Sequence, residues 1–150
     1  MSAYIEGKKF LDENDLPPQW NLLSGTSEKY KTVTIPKGAY YPGNYEFFNN
    51  FNFPVTFSAF VINNSDTDIR AHMDDFGNGT ESNVIKAGSQ GKVIVNNFFT
   101  QGCYFETLDK LAANSNINLQ VKEEKLEPGA VATAWLPAIS DLALKSDLGK

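Results

Sequence analysis

The sequence predicts an all-β fold, an antiparallel β-sandwich or jelly roll with an N-terminal arm and a short C-terminal helix. Three observations carry this. Stretches such as Lys31 to Ile35 (KTVTI) and Ile69 to Asp74 (IRAHMD) alternate polar and apolar residues with the period of a half-buried strand. Clusters of Gly, Pro, Asn, Asp and Ser separate such stretches at short intervals, as turns between successive strands do. Before Ser140, no stretch longer than about two turns keeps the period of an amphipathic helix.

Taken in order, residues 1–19 mix charges with Pro17-Pro18 and show no sustained period, so an arm or linker is expected there, with a short extended piece at Ala3 to Ile5. The module itself is expected over residues 20–138. A short apolar run at Trp20 to Leu23 ends in the turn formers Ser24 to Ser27, and the Lys31 to Ile35 strand follows. Pro36 to Gly43 (PKGAYYPG) is a loop that displays Tyr40 and Tyr41. Asn44 to Phe53 reads as a short strand and an irregular loop. Val55 to Ile62 (VTFSAFVI) is the most apolar strand, with Val55, Phe57, Ala59 and Val61 facing the core.

In Ile69 to Asp74 the apolar Ile69, Ala71 and Met73 point inward and Arg70, His72 and Asp74 outward. Asn83 to Lys86 and Gly91 to Phe99 read as consecutive strands, Cys103 to Leu108 as another, and Ile117 to Lys122 as the last long one. Asp109 to Asn114 allows one short helical turn. The chain then reverses at Pro128-Gly129 and runs through Trp135, expected in the core, to Pro137. From 139 onward Ile139, Leu142, Leu144 and Leu148 make a short apolar stripe behind an N-cap at Ser140 or Asp141, so residues 139–150 are expected to begin a helical connector into a longer protein.

The totals narrow the function. A net charge of −5 with no basic cluster argues against nucleic acid or an anionic membrane as partner. Cys103 is the only cysteine, which rules out an internal disulfide and a thiolate metal cluster. The first residues lack a basic segment followed by an apolar run, so no signal peptide is expected, and no apolar stretch approaches the ~20 residues that span a bilayer. His72 is the sole histidine and no Gly-x-Ser-x-Gly elbow is present, so a Ser-His-Asp hydrolase has little to be built from. Zinc ligands at recognisable spacing are missing.

The carboxylate pairs Asp66/Asp68, Asp74-Asp75 and Glu123-Glu124 read as solvated loop charge, because neighbouring residues on a strand point to opposite faces unless a bulge intervenes. No cofactor is expected. Calcium is the one ion the oxygen-rich aspartates Asp66, Asp68, Asp74 and Asp75 suit, although the stretch from Asp74 to Glu81 lacks the flanking helices and spacing of an EF-hand. The chain therefore reads as a non-enzyme.

Two edge segments carry a resemblance. Leu126-Glu-x-Gly-x-x-x-Thr-x-Trp-x-Pro-Ala-x-x-Asp141 resembles the closing segment of modules in bacteriophage tail, baseplate and tail-fibre proteins, and Asn21 to Ser27 (NLLSGTS) resembles their opening strand. The resemblance implies a β-sandwich like a carbohydrate-binding module, carried in a virion and assembled in the bacterial cytoplasm, as in siphophage baseplates of Gram-positive hosts. It implies other tail or baseplate proteins as partners, host cell-wall polysaccharide or teichoic acid as ligand, and a homo-oligomer, a trimer, in the full-length protein.

Sugars are held by aromatic faces with amide and carboxylate groups around them. Tyr40, Tyr41 and Tyr45 near one loop, with Arg70, His72 and Asp74 on a polar face, fit that pattern, and Tyr104, Asn96 and Asn97 are candidates from neighbouring strands. The bland reading places these aromatics in the core, and the ordinary surface composition with the two unusual ends fits a structural baseplate scaffold or oligomerisation domain without glycan affinity.

Overall fold

The computed structural model describes residues 19–75, 79–97 and 100–142, with the backbone of a two-strand pairing between β1 (Tyr4–Ile5) and β2 (Lys8–Lys9). The rest of the expected arm, residues 98–99 of one expected strand and residues 143–150 of the expected connector lie outside the described residues.

The fold is all-β, with two antiparallel sheets facing each other as in a sandwich. The larger sheet has the order β3 (Lys31–Ile35), β9 (Ile117–Pro128), β4 (Val55–Asn63), β7 (Gln90–Asn97). The smaller has the order β6 (Thr80–Glu81), β5 (Ile69–Asp74), β8 (Gly102–Thr107). Val55, Phe57, Ala59 and Val61 of β4 meet Ile69, Ala71 and Met73 of β5 and Cys103 and Phe105 of β8 in one buried core, as the alternation of each strand requires. At roughly 25 cal/mol per Å² of apolar surface removed from water, this core is the main stabilising term of the fold.

Some elements differ from the sequence expectation. Asn83 to Lys86 is not a strand; the short edge strand is β6, and Ile85 contributes a single bridge to Ile69. Asn44 to Phe53 is irregular, tied down by isolated bridges from Phe47 to Cys103 and from Phe51 to Thr100. The helical turn expected after Asp109 is a 3-10 turn at Leu108–Lys110, with Asp109 and Lys110 at positive φ.

The main departure is in β9, which runs past Lys122 to Pro128. A bulge makes this possible: Ser58 pairs with Lys125 but Phe60 with Lys122, so Glu123 and Glu124 together oppose Ala59. Glu123 takes up the extra residue at φ 56, and its amide donates to Ser27. A one-residue shift exchanges the faces of everything after it. Leu119 and Val121 point into the core before the bulge and Leu126 after it, while Lys125 and Glu127 turn to the outer face.

That outer face is covered by residues 129–138. Thr133 Oγ1 donates to Glu127 Oε1 at 2.6 Å, and Lys125 Nζ donates to Thr133 Oγ1 at 2.6 Å and to the Ala134 carbonyl at 2.8 Å. Lys125 and Glu127 are both fully buried there, and burial pushes the Lys125 ammonium below its ordinary range. Trp135 is half-buried on this outer layer and its indole N–H donates to Thr26. The expectation of a core Trp135 is thus corrected: the bulge turns the strap to the outside of the sheet. A helical turn starts at residue 139, which puts Ser140 and Asp141 inside it and not at its cap, and Asp141 Oδ2 accepts the Gly25 amide at 3.0 Å.

Candidate functional site

The outer face of the smaller sheet gathers the sequence-predicted residues. Arg70, His72 and Asp74 alternate outward on β5, and antiparallel pairing sets His72 opposite both Tyr104 and Glu81, and Arg70 opposite Glu106. The loop before β4 folds back over this face. Glu46 N donates to the Cys103 carbonyl and Cys103 N to that of Phe47, at 2.7 and 3.1 Å. These bonds hold Tyr45 over β8, where Gly102 leaves room for its ring.

The result is a tyrosine roof. The Tyr104 ring lies 4.8 Å from Tyr41, 5.2 Å from Tyr45 and 5.1 Å from His72, and Tyr40 adjoins Tyr41 at 4.9 Å. Phe48, 66% exposed, stands edge-on to Tyr45. Beneath the roof, Tyr45 Oη donates to Asp74 Oδ2 at 2.8 Å and Asp74 Oδ1 meets His72 Nε2 at 2.9 Å. Burial, and then the bond to Asp74, pushes the Tyr45 phenol up to about 12. Burial and the nearby Asp74 and Glu106 charges raise that of Tyr104 further. Both therefore act as neutral hydroxyls.

Of the predicted ligand residues, Tyr40, Tyr41, Tyr45, Arg70, His72, Asp74 and Tyr104 are brought together here. Asn97 is not: it ends β7 in the other sheet, paired with Val55. Asn96, beside it, reaches the Ala130 carbonyl. His72, expected to point outward, is nonetheless buried at 4% exposure, because the roof covers what a bare sheet would leave open.

Sequence reasoning missed Glu81 and Glu106. Arg70 Nε donates to Glu106 Oε2 at 2.8 Å, and His72 Nδ1 lies 3.4 Å from Glu81 Oε1 and 3.6 Å from Glu106 Oε2. Glu106 alternates with Tyr104 along one strand, so its face was readable; its neighbours depend on register. Asp68 accepts the Ala87 amide instead of converging with Asp74.

A second polar cluster lies beside a cavity of about 180 Å³ between Leu23 to Ser27 and the β9 bulge. The bulge turns Glu124 toward Glu46, and Lys31 Nζ bridges them at 2.5 and 2.7 Å. Reading Glu123-Glu124 as solvated charge is therefore corrected for Glu124, which is buried. Burial and the adjoining Glu46 push its carboxyl up to about 8 against the pull of Lys31.

Compared with protein-family models and with curated protein sequences, the chain matches none.

Proposed function

We propose that the chain is a non-catalytic recognition module of a phage tail or baseplate, with the tyrosine face binding host cell-wall carbohydrate. The observation that carries this reading is the convergence of Tyr40, Tyr41, Tyr45 and Tyr104 with Arg70 and Asp74, drawn from three separate segments onto one sheet face. The half-buried rings of Tyr40, Tyr41 and Tyr45, packed on the buried Tyr104, supply apolar surface for a pyranose, and the exposed Phe48 extends that surface outward. The meeting of the two resemblance-bearing edges, Asn21 to Ser27 with Leu126 to Asp141, supports the module's extent.

Each site is expected to bind weakly, with virion multivalency raising overall affinity by ~100-fold or more. Purified wall polysaccharide and teichoic acid of Gram-positive hosts, titrated against a multivalent form, test this. Saturable binding weakened by Phe48→Ala and Tyr41→Ala is the expected result; no binding by the multivalent form overturns it.

A scaffold role is favoured by a different observation: most polar atoms under the roof are already committed to one another. In that reading the chain oligomerises with other baseplate proteins and the tyrosines only hold the loop. Light scattering on a longer chain that includes the connector distinguishes it, since a monomer there rules it out.

A further inference from the structure

His72 presents an unusual arrangement. Its ring is fixed on three sides: Asp74 Oδ1 meets Nε2 at 2.9 Å, Tyr104 lies against its face, and Gly79 passes so close to the Cε1–Nε2 edge that a Cβ there would sit 2.2 Å from Cε1. The other nitrogen, Nδ1, is buried without a hydrogen-bond partner. It points at two carboxylates, Glu81 and Glu106, whose oxygens lie 3.4 and 3.6 Å away. Glu106 is wholly buried, and its Oε1 also has no hydrogen-bond partner. Where Nε2–H is given to Asp74, Nδ1 turns a lone pair toward two carboxylate oxygens, an arrangement that a proton or a metal cation between them relieves.

We propose that His72 Nδ1, Glu81 and Glu106 form a binding site for a divalent transition cation of the zinc class. The donor atoms lie within 4.8 Å of one another. Two donors of one tetrahedral zinc at its usual bond lengths stand about 3.4 Å apart, close to both distances from Nδ1. Imidazole with two carboxylates is a donor set that suits zinc and its neighbours better than calcium, which takes oxygens alone. Asp74 supplies the outer carboxylate that orients a ligating histidine.

Charge agrees. Glu81 and Glu106 face the Arg70 guanidinium and Asp74 faces His72, so three carboxylates against one guanidinium leave two negative charges for a dication when the imidazole is neutral. Arg70 Nε engages one lone pair of Glu106 Oε2, the oxygen 3.6 Å from His72 Nδ1, and leaves its other lone pair for the metal. Glu81, on the edge strand and 40% exposed at its side chain, is the open side through which an ion and a further ligand, water or a sugar hydroxyl, enter. The site stands independently of the carbohydrate reading.

The test is calorimetric titration of untagged, chelator-stripped full chain with Zn²⁺, and separately with Ca²⁺, backed by Co²⁺ absorption. One Zn²⁺ per chain is expected, with Co²⁺ giving the bands of a low-coordinate site. Glu81→Gln, at an exposed position that leaves the fold intact by circular dichroism, abolishes this binding. Asp74→Asn weakens it by ~10–100-fold, as loss of an outer partner does. No saturable Zn²⁺ binding, preference for Ca²⁺, or undiminished binding by Glu81→Gln overturns the proposal.

Discussion

The side-chain carbonyl of Asn21 accepts the Leu126 amide at 2.9 Å, and its amide donates to the Glu124 carbonyl at 2.6 Å. Leu22 N donates to the Leu126 carbonyl at 2.8 Å. Asn21 thus replaces a missing strand neighbour along the edge of β9 just past the bulge, and it is buried while doing so. Asn21→Ala leaves a buried amide and a buried carbonyl unpaired, at about 1–3 kcal/mol for each such group. Urea unfolding is expected to show a lower midpoint with unchanged m-value; a midpoint equal to wild type contradicts the assignment.

The buried Lys125–Glu127 pair, 3.7 Å apart and shared with Thr133, leads to a non-additive expectation. Lys125→Met leaves Glu127 as an uncompensated buried charge and is expected to cost about 3–5 kcal/mol. Lys125→Met with Glu127→Leu removes both charges and is expected to cost less than Lys125→Met alone. A double-mutant cycle by chemical denaturation measures the coupling, expected near 1–3 kcal/mol, and strict additivity defeats the idea.

Local alternation made much of the fold legible. The inward set of β4 and the split of β5 into Ile69, Ala71, Met73 against Arg70, His72, Asp74 follow from the period of two alone. The tyrosines were legible too, since Tyr40 and Tyr41 sit in a Pro/Gly loop and Tyr104 alternates outward. What stayed hidden depends on pairing. Glu123 adopts its positive φ without the Gly or Asn that flags such a position, so nothing local announced the bulge, the long β9, or the outward turn of Lys125, Glu127 and Trp135. His72, Glu81 and Glu106 are far apart in sequence and meet only through the β6-β5-β8 register.

Stability is expected to fall as pH rises from about 5 to 8. Burial and Glu46 raise the Glu124 carboxyl from 4.5 to about 8, so between these values the folded chain holds a proton that the unfolded chain has lost. Excess protons on the folded side make stability decrease with pH. The contribution is complete below the unfolded value and gone above the folded one. Lys31, raised by its two carboxylates against the opposing effect of burial, acts only near its own higher range and leaves this window alone. Thermal denaturation across the window should show a declining Tm, and Glu124→Gln, neutral throughout, should flatten it. An unchanged slope in Glu124→Gln refutes the role of this carboxyl.

Gly102 decides whether the tyrosine roof can close. A Cβ there would lie 2.6 Å from the Phe47 carbonyl oxygen and 2.7 Å from Tyr45 Cδ2. The Phe47 carbonyl cannot retreat freely, because it accepts the Cys103 amide while Glu46 N donates to the Cys103 carbonyl. Gly102→Ala therefore lifts the loop carrying Tyr45 and weakens its bond to Asp74, at about 1–3 kcal/mol for an overpacked site. Gly43→Ala, where nothing lies within 4 Å but φ is +84°, carries only the backbone term, about 1 kcal/mol. Near-UV circular dichroism separates the two: Gly102→Ala is expected to lose part of the tyrosine signal with its far-UV spectrum kept, whereas Gly43→Ala keeps both. Equal near-UV spectra in the two variants would mean that the roof does not rest on Gly102.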